Sequence, residues 1–405
     1  LNTASALIEA GADDLAKLMS EESGKPLKYA TGEVMRATET FLFASDVARN
    51  MVGESFSLDS ARGGVGKFAY TMRVPIGVIG AITPFNFPLN LVAHKVAPAL
   101  AVGCPIVLKP APTTPLTALR LRDILHEAGL PEGIFQVVTG DGDVGHWLVS
   151  DPRIAMISFT GSDSVAQKIS QSVGLRKAVY ELGGNAAVIV DETADALGVV
   201  DKIAIGAFAY SGQVCISIQR AYIHRNHYEA FTKALVARAE KWTLGDPLHP
   251  KTDMSAMIHP SAYDRIASWI DEAVSAGAKI HTGGRVVDNI FLPTVLTDVP
   301  ADAKLMCQEA FAPVVCIVPF DNFEDALRRV NESEYGLQAG VFTTDIGRMM
   351  SAGTLLDVGG VIINDTPTFR VDNMPYGGMK RSGIGREGPR YAAEEMTVTK
   401  LVVIG

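Results

Sequence analysis

From Val74 onward the chain alternates short apolar runs with stretches of helical periodicity, and this alternation limits the available folds more than any other feature. Residues 74–82, 105–108, 134–138 and 154–159 are β-rich and of strand length. The segments between and after them, 89–102, 116–128, 144–149 and 164–172, carry apolar residues at helical spacing. Strands alternating with helices of this size predict βαβ units, a parallel sheet and right-handed crossovers. A second alternation starts at Ala186 and runs to about Val361, with strand patterns at 187–190, 221–224, 314–318 and 361–363. The first sixty residues read as helical, and residues 397–404 as a final β-branched strand that pairs with an edge elsewhere. The predicted class is α/β: two Rossmann-like parallel sheets plus a β-rich arm.

Composition narrows the classes further. The chain has 405 residues, 47% hydrophobic and 20% charged, which is globular and suggests two to three domains. A net charge of −9 argues against a generic nucleic-acid or anionic-membrane surface. Four cysteines without a C-x-x-C pair exclude a disulfide scaffold and zinc ribbons and favour a reducing, cytoplasmic setting. Cys104, Cys307 and Cys316 read as structural. No apolar run reaches membrane-spanning length. There is no H-E-x-x-H or G-x-S-x-G pattern and the eight histidines are scattered, so no metal is expected.

Parallel sheets bind ligands beyond the carboxyl ends of their strands, so the loops there hold the candidate residues. They read Thr83-Pro84-Phe85-Asn86, Lys109-Pro110, Thr139-Gly140-Asp141-Gly142 and Thr160-Gly161-Ser162. Gly140-Asp141-Gly142-Asp143-Val144-Gly145 matches G-x-G-x-x-G after a strand and before a helix, the context a dinucleotide site requires. Gly383 to Gly388 matches the same pattern but follows no strand. Gly161-Ser162 opens a helix and can either receive a pyrophosphate or serve as an ordinary N-cap. Lys109 can reach a phosphate or a ribose, or lie along the surface. Cys215, in Ser211-Gly212-Gln213-Val214-Cys215-Ile216, is a nucleophile or a small buried hydrophobe. Glu181, at a strand end beside Gly183 and Gly184, is a general base or a turn charge. Asn86, between Pro84 and Pro88, is an oxyanion donor or simple turn chemistry.

Taken together and in this order, the motifs resemble the aldehyde dehydrogenase superfamily over the whole chain. The residues that carry the resemblance are Thr83 to Pro88, Leu108-Lys109-Pro110, Phe159 to Ser162, Glu181 to Gly184, Gly212 to Cys215, Gln308 to Pro313, Pro375 to Gly378 and Ser382 to Glu387. The resemblance implies that Cys215 is the nucleophile and Glu181 the base. Asn86 and the Cys215 backbone N–H would form the oxyanion hole, and Lys95 lies near the site. It also implies coenzyme contacts from Thr83, Pro84, Phe85, Leu182, Lys109, Gly142, Gly145, Gly161, Ser162, Glu309 and Phe311. Lys109 would hold the adenine-side ribose and Glu309 the nicotinamide ribose. A low-pKa cysteine is expected, because the thiolate is the reactive form.

The implied reaction is oxidation of an aldehyde to a free acid through a cysteine thiohemiacetal and thioester. A carboxylate at 181 distinguishes this from acyl transfer to coenzyme A. Pro112 stands where many NAD-specific members carry an acid, so both NAD and NADP are expected. Phe87, Val214, Ile216, Phe369 and Arg370 are expected to line the substrate site, with Arg370 facing the distal group of a small polar or anionic aldehyde. The expected division is a coenzyme domain at 1–54 and 73–183 and a catalytic domain at 184–385. An arm and tail at 55–72 and 386–405 would join subunits into a homodimer or homotetramer. The family's N-terminal segment has no counterpart, so the chain is expected to begin inside the coenzyme domain. A catalytically silent structural protein or a thiolate esterase on the same scaffold is the alternative.

Overall fold

Residues Val78–Ile82, Val-Ile-Gly-Ala-Ile, offer no polar side chain, as a strand covered on both faces requires. In the computed structural model, which describes all 405 residues, they form the centre of a six-stranded sheet. Ile106–Lys109 and then Phe135–Val137 lie to one side; Ile154–Thr160 and Lys177–Glu181 lie to the other. All five run parallel. Gly383–Ile384 adds an antiparallel edge beside Lys177–Glu181, so residues 383 and 384 belong to the first sheet and not to the second. The chain reverses its direction of travel across the sheet between Phe135–Val137 and Ile154–Thr160. A crevice therefore opens at the carboxyl ends of Val78–Ile82 and Ile154–Thr160. One face of this sheet packs against the N-terminal helices through residues such as Val34, Phe41, Ile79 and Leu108. The other packs on Gly142–Ser150 and Asp163–Val173 through Leu148, Ile157 and Ile169.

The second sheet has seven strands, in the order Lys279–Thr282, Thr294–Thr297, Val314–Phe320, Ile218–His224, Ala186–Val190, Gln338–Phe342 and Gly360–Ile363. Only Lys279–Thr282 is antiparallel. Its two cores flank it, one around Phe231, Leu235 and Phe208, the other around Ile266, Leu327 and Phe320. Four residues, Leu182 to Asn185, separate the last parallel strand of the first sheet from the first strand of the second.

The apolar run 74–82 is not one strand. The chain turns at Ile76-Gly77, with Gly77 at φ +128°, a conformation that suits glycine. Phe68–Pro75 leaves to pair antiparallel with Thr397–Ile404 along its full length, and Ser55–Ser57 completes a three-stranded sheet. The arm strand therefore reaches 75. Helix Pro389–Glu395, inside the expected tail, packs on helices Asn90–Ala101 and Leu27–Asn50.

A buried ion pair anchors the turn that carries Asn86. Lys25 Nζ donates to Glu33 Oε2, and both side chains are almost completely buried. Glu33 Oε1 also accepts the backbone N–H groups of Leu89 and Asn90, each at 2.9 Å, where helix Asn90–Ala101 starts. The ammonium lies 3.9 Å from the Phe87 ring centre and 4.6 Å from that of Tyr210. Glu33→Ala strands a buried charge and two N–H groups. We predict a loss of about 3–5 kcal/mol in urea unfolding, with Glu33→Gln losing less.

Candidate active site

The short link between the sheets brings the site together. Glu181 ends a strand, and the chain must then pass between two other segments before Ala186–Val190 begins. A Cβ on Gly183 would overlap the Glu309 carboxylate, and one on Gly184 would overlap the Cys215 carbonyl oxygen. Only glycines fit here. The Gly184 N–H donates to Glu309 Oε1 at 3.0 Å.

Cys215 sits in a loop ahead of strand Ile218–His224. The helical pattern before it stops at Phe208, and Tyr210, Ser211 and Gly212 follow with φ of 51°, 56° and 67°. Left-handed backbone at non-glycine residues persists only where surroundings hold it. Here the Ser211 hydroxyl donates to the Ser255 carbonyl at 2.6 Å, and Gly212 presses on the Ala312 carbonyl with no room for a Cβ. Asn86 Nδ2 donates to the Gln213 carbonyl at 2.9 Å, which ties the proline-flanked turn to the cysteine loop. Asn86 Oδ1 is buried without a partner. Val214 and Ile216 pack with Leu337 and Tyr376 around the thiol. Phe87 lies edge-on to Tyr210.

The expected low-pKa thiol is not what this environment gives. Burial pushes Cys215 up to about 11; the Tyr376 hydroxyl, 3.0 Å from Sγ, and the Arg370 charge pull the other way but do not outweigh it. Glu181 is buried with both carboxyl oxygens unpartnered. Burial and the Glu387 charge raise it well above the usual carboxylate range, against Lys95, Arg370 and Arg386. Glu309 is likewise pushed up to about 7 by burial.

Glu387 is the site acid that the residue-by-residue reading misses. It lies in the Gly383–Gly388 stretch and in the expected arm, yet it is buried beside Glu181. Lys95 Nζ donates to its Oε1 at 2.9 Å and to Ser158 Oγ at 3.2 Å, and Arg370 Nη2 donates to its Oε2 at 3.1 Å. Against the desolvation of a buried acid, these two cations hold Glu387 below the carboxylate range. Its sequence signal is only an acid after Arg386 in a glycine-rich turn. Arg370 is no surface arginine. Its side chain is 7% exposed, its guanidinium lies 3.7 Å over the Tyr376 ring, and its Nε is buried without a partner. Phe369 stands 45% exposed. Two residues after Arg370, Asp372 accepts from Asn90 and Arg36 and meets His94 Nε2 at 2.7 Å, which pins the loop. Cys104 and Cys316 are buried; Cys307 is exposed.

The crevice of the first sheet carries the other expected residues. Thr83, Pro84 and Phe85 follow Val78–Ile82; Thr83 Oγ1 is buried without a partner and Phe85 meets Phe311 edge-on at 6.0 Å. Lys109 is buried at the end of its strand, and its stem runs along Gly145, where a Cβ would stand 3.5 Å from it. Gly142 opens its helix in open space, while the Asp141 side chain caps the Asp143 N–H. Gly161 faces the Phe159 ring with no room for a Cβ, and its N–H donates to the Glu181 carbonyl at 3.0 Å. The Ser162 hydroxyl caps no helix N–H and lies 3.2 Å from Ser164 Oγ. The first turn of Asp163–Val173 thus keeps its N–H groups free of side-chain caps. The Leu182 N–H donates to the Ser382 carbonyl. Gly184→Ala is predicted to give folded protein with kcat lowered by about 10²-fold or more, since it displaces the Cys215 carbonyl; circular dichroism and steady-state assay check this.

The aldehyde dehydrogenase family model matches residues 1–402. A 3-sulfolactaldehyde dehydrogenase from Priestia aryabhattai is 45% identical over 393 residues, 97% of this chain and 82% of the relative. The crystal structure of aldehyde dehydrogenase 21 from Physcomitrella patens, in complex with the reaction product succinate, superposes with a TM-score of 0.96 at 40% identity, covering 99% of this chain and 84% of that one. The NADP complex of a glyceraldehyde-3-phosphate dehydrogenase from Methanocaldococcus jannaschii superposes at 0.94 with 36% identity, over 100% and 88%. With a match over nearly its whole length and relatives well above 30% identity, the chain belongs to the aldehyde dehydrogenase family.

Proposed function

We propose that this chain oxidises a small polar or anionic aldehyde to its carboxylic acid with NAD or NADP, through a thiohemiacetal and a thioester on Cys215. The chain is an NAD(P)-dependent aldehyde dehydrogenase. The observation that supports the finer reading is the seam itself, where a half-buried thiol, a tethered amide and an unpartnered buried carboxyl converge.

In this reading Cys215 passes its proton to water and its sulfur attacks the aldehyde carbon. Asn86 Nδ2 already donates to the Gln213 carbonyl; its second hydrogen and the Cys215 N–H receive the oxyanion. When bound, the nicotinamide coenzyme supplies the hydride acceptor. The residues that would hold it fit: a glycine-lined lysine at 109, an uncapped helix start after Ser162, a free buried Thr83 hydroxyl and the Glu309 carboxyl. Lys109, Gly145, Gly161 and Ser162 take the adenosine and pyrophosphate side, and Glu309 the nicotinamide ribose. Use of both coenzymes follows from Pro112, since no acid at that position repels a 2′-phosphate. Glu181 then removes a proton from the water that hydrolyses the thioester. A base needs a pKa near the working pH, and burial raises Glu181 in that direction.

For substrate, the buried Arg370 with its free Nε supports an anionic distal group, and the sulfolactaldehyde and succinate names of the relatives fit that chemistry. The sheet of Ser55–Ser57, Phe68–Pro75 and Thr397–Ile404, with Phe56, Phe68, Leu401 and Ile404 exposed, would join copies of the chain. No helix is long and apolar enough to cross a membrane.

Two measurements test the reading. Glu181→Gln should release about one equivalent of NAD(P)H per site in a burst, then turn over about 10²–10⁴-fold more slowly, with the acid limb of the kcat profile lost. The sign follows from the raised pKa: the base gains protons, and activity falls, as pH drops through it. A variant with parental steady-state turnover refutes the assignment. Arg370→Ala should raise KM for anionic aldehydes more than for neutral ones of equal size in a panel assay; equal effects count against an anionic substrate.

A further inference from the structure

The geometry points to Tyr376 as a further catalytic residue: its hydroxyl donates to the Cys215 sulfur and stabilises the thiolate, and the Arg370 guanidinium stacked on its ring strengthens that donor. The inference rests on the reading of Cys215 as the nucleophile and assigns a role to a residue that reading leaves idle.

Three observations converge. The first is contact: Tyr376 Oη lies 3.0 Å from Cys215 Sγ, and no other side-chain hydrogen bond reaches the thiol. The second is that the phenol cannot swing away. Tyr376 is 3% exposed, and its backbone exchanges both hydrogen bonds with Glu387, N–H to carbonyl at 3.0 Å in one direction and a second in the other. The same Glu387 side chain fixes Arg370. The third is polarisation. With the guanidinium 3.7 Å from the ring centre, a cation faces the π-system of a desolvated phenol and makes its O–H a stronger donor.

The charges around the pair give the direction. Arg370 and the Tyr376 hydroxyl favour the thiolate, while Glu309 and Glu181 oppose it. Tyr376 itself is buried, and burial, Cys215 and Glu181 push its phenol well above the usual range, with Arg370 opposing. The phenol thus keeps its proton while the thiol ionises, which makes Tyr376 the donor and sulfur the acceptor. A hydrogen bond to the charged form lowers a pKa, so the contact offsets part of the desolvation that burial imposes on the nucleophile.

The test is the pH dependence of iodoacetamide alkylation at Cys215, read at the peptide level by mass spectrometry on coenzyme-free protein, with exposed Cys307 as internal reference. Tyr376→Phe keeps the ring under Arg370 and removes only the donor. Its Cys215 midpoint should rise by about one pH unit, a tenfold smaller thiolate fraction near neutrality, and kcat/KM should fall about tenfold with its pH profile displaced the same way. An unchanged midpoint in a folded variant overturns the inference. Biosynthetic replacement of tyrosine by 3-fluorotyrosine gives a second measurement that leaves packing intact. The more acidic phenol should lower the midpoint, and no movement overturns the inference. The titration needs no turnover, so it separates the two readings. Protein that fails to oxidise any aldehyde refutes the proposed function while the titration still reports on Tyr376. Active protein with an unmoved midpoint refutes only the role of Tyr376.

Discussion

The whole site depends on the chain passing from one sheet to the other through a gap with no room for side chains. Gly183 and Gly184 lie against the Glu309 carboxylate and the Cys215 carbonyl, and the Gly184 N–H is bonded to Glu309. This contact fixes three segments at once: the strand end that carries Glu181, the loop that carries the thiol and the loop that carries Glu309. Because each sheet is packed on both faces, neither can shift to relieve a clash at the seam. Rigid sheets and a side-chain-free link are what turn three distant sequence positions into one pocket.

The electrostatics follow from the same closeness. Cys215, Glu181 and Glu309 are all driven toward their neutral forms by loss of water, and the positive charges nearby go elsewhere. Lys95 and Arg370 converge on Glu387, which they hold below the carboxylate range while burial raises the other two acids. One carboxyl is committed to charge and its neighbour is left without partners, the separation of environments that assigns different roles to like groups.

Much of this was legible in the chain, and the parts that were not share a cause. Alternating periodicity located the parallel strands of the first sheet to within a residue or two, because burial on both faces leaves a continuous apolar signature; in the second sheet it missed Thr294–Thr297 and Gln338–Phe342 and started Ile218–His224 three residues late. It failed at Ile76-Gly77, where two strands of different sheets abut and their apolar runs fuse; only the glycine's φ separates them. The rule that ligands gather after parallel strands singled out Asn86, Lys109, Gly161 and Glu181 as candidates. It could not find Cys215 or Glu309, which precede strands of the second sheet, and for those the motif resemblance was needed. Glu387 and Tyr376 escaped because their importance is purely relational. Both lie inside motifs that carry the resemblance, but nothing local assigns either one a task, and Cys215 is 161 positions from Tyr376 and Lys95 292 from Glu387. The upward push on the thiol escaped for the same reason, since desolvation depends on what surrounds a residue in space.

The pairing of Lys95 with Glu387 joins residues 292 positions apart. A chain made from its N-terminus therefore completes the first parallel sheet long before the counter-ion of its buried lysine exists. Until then Lys95 must stay hydrated or unburied, so helix Asn90–Ala101 cannot settle fully into its core. Two segments made after residue 380, Gly383–Ile384 at the sheet edge and Pro389–Glu395 against that helix, then act as a latch. The crevice of the first sheet acquires its final form in the same event that gives Lys95 its counter-ion.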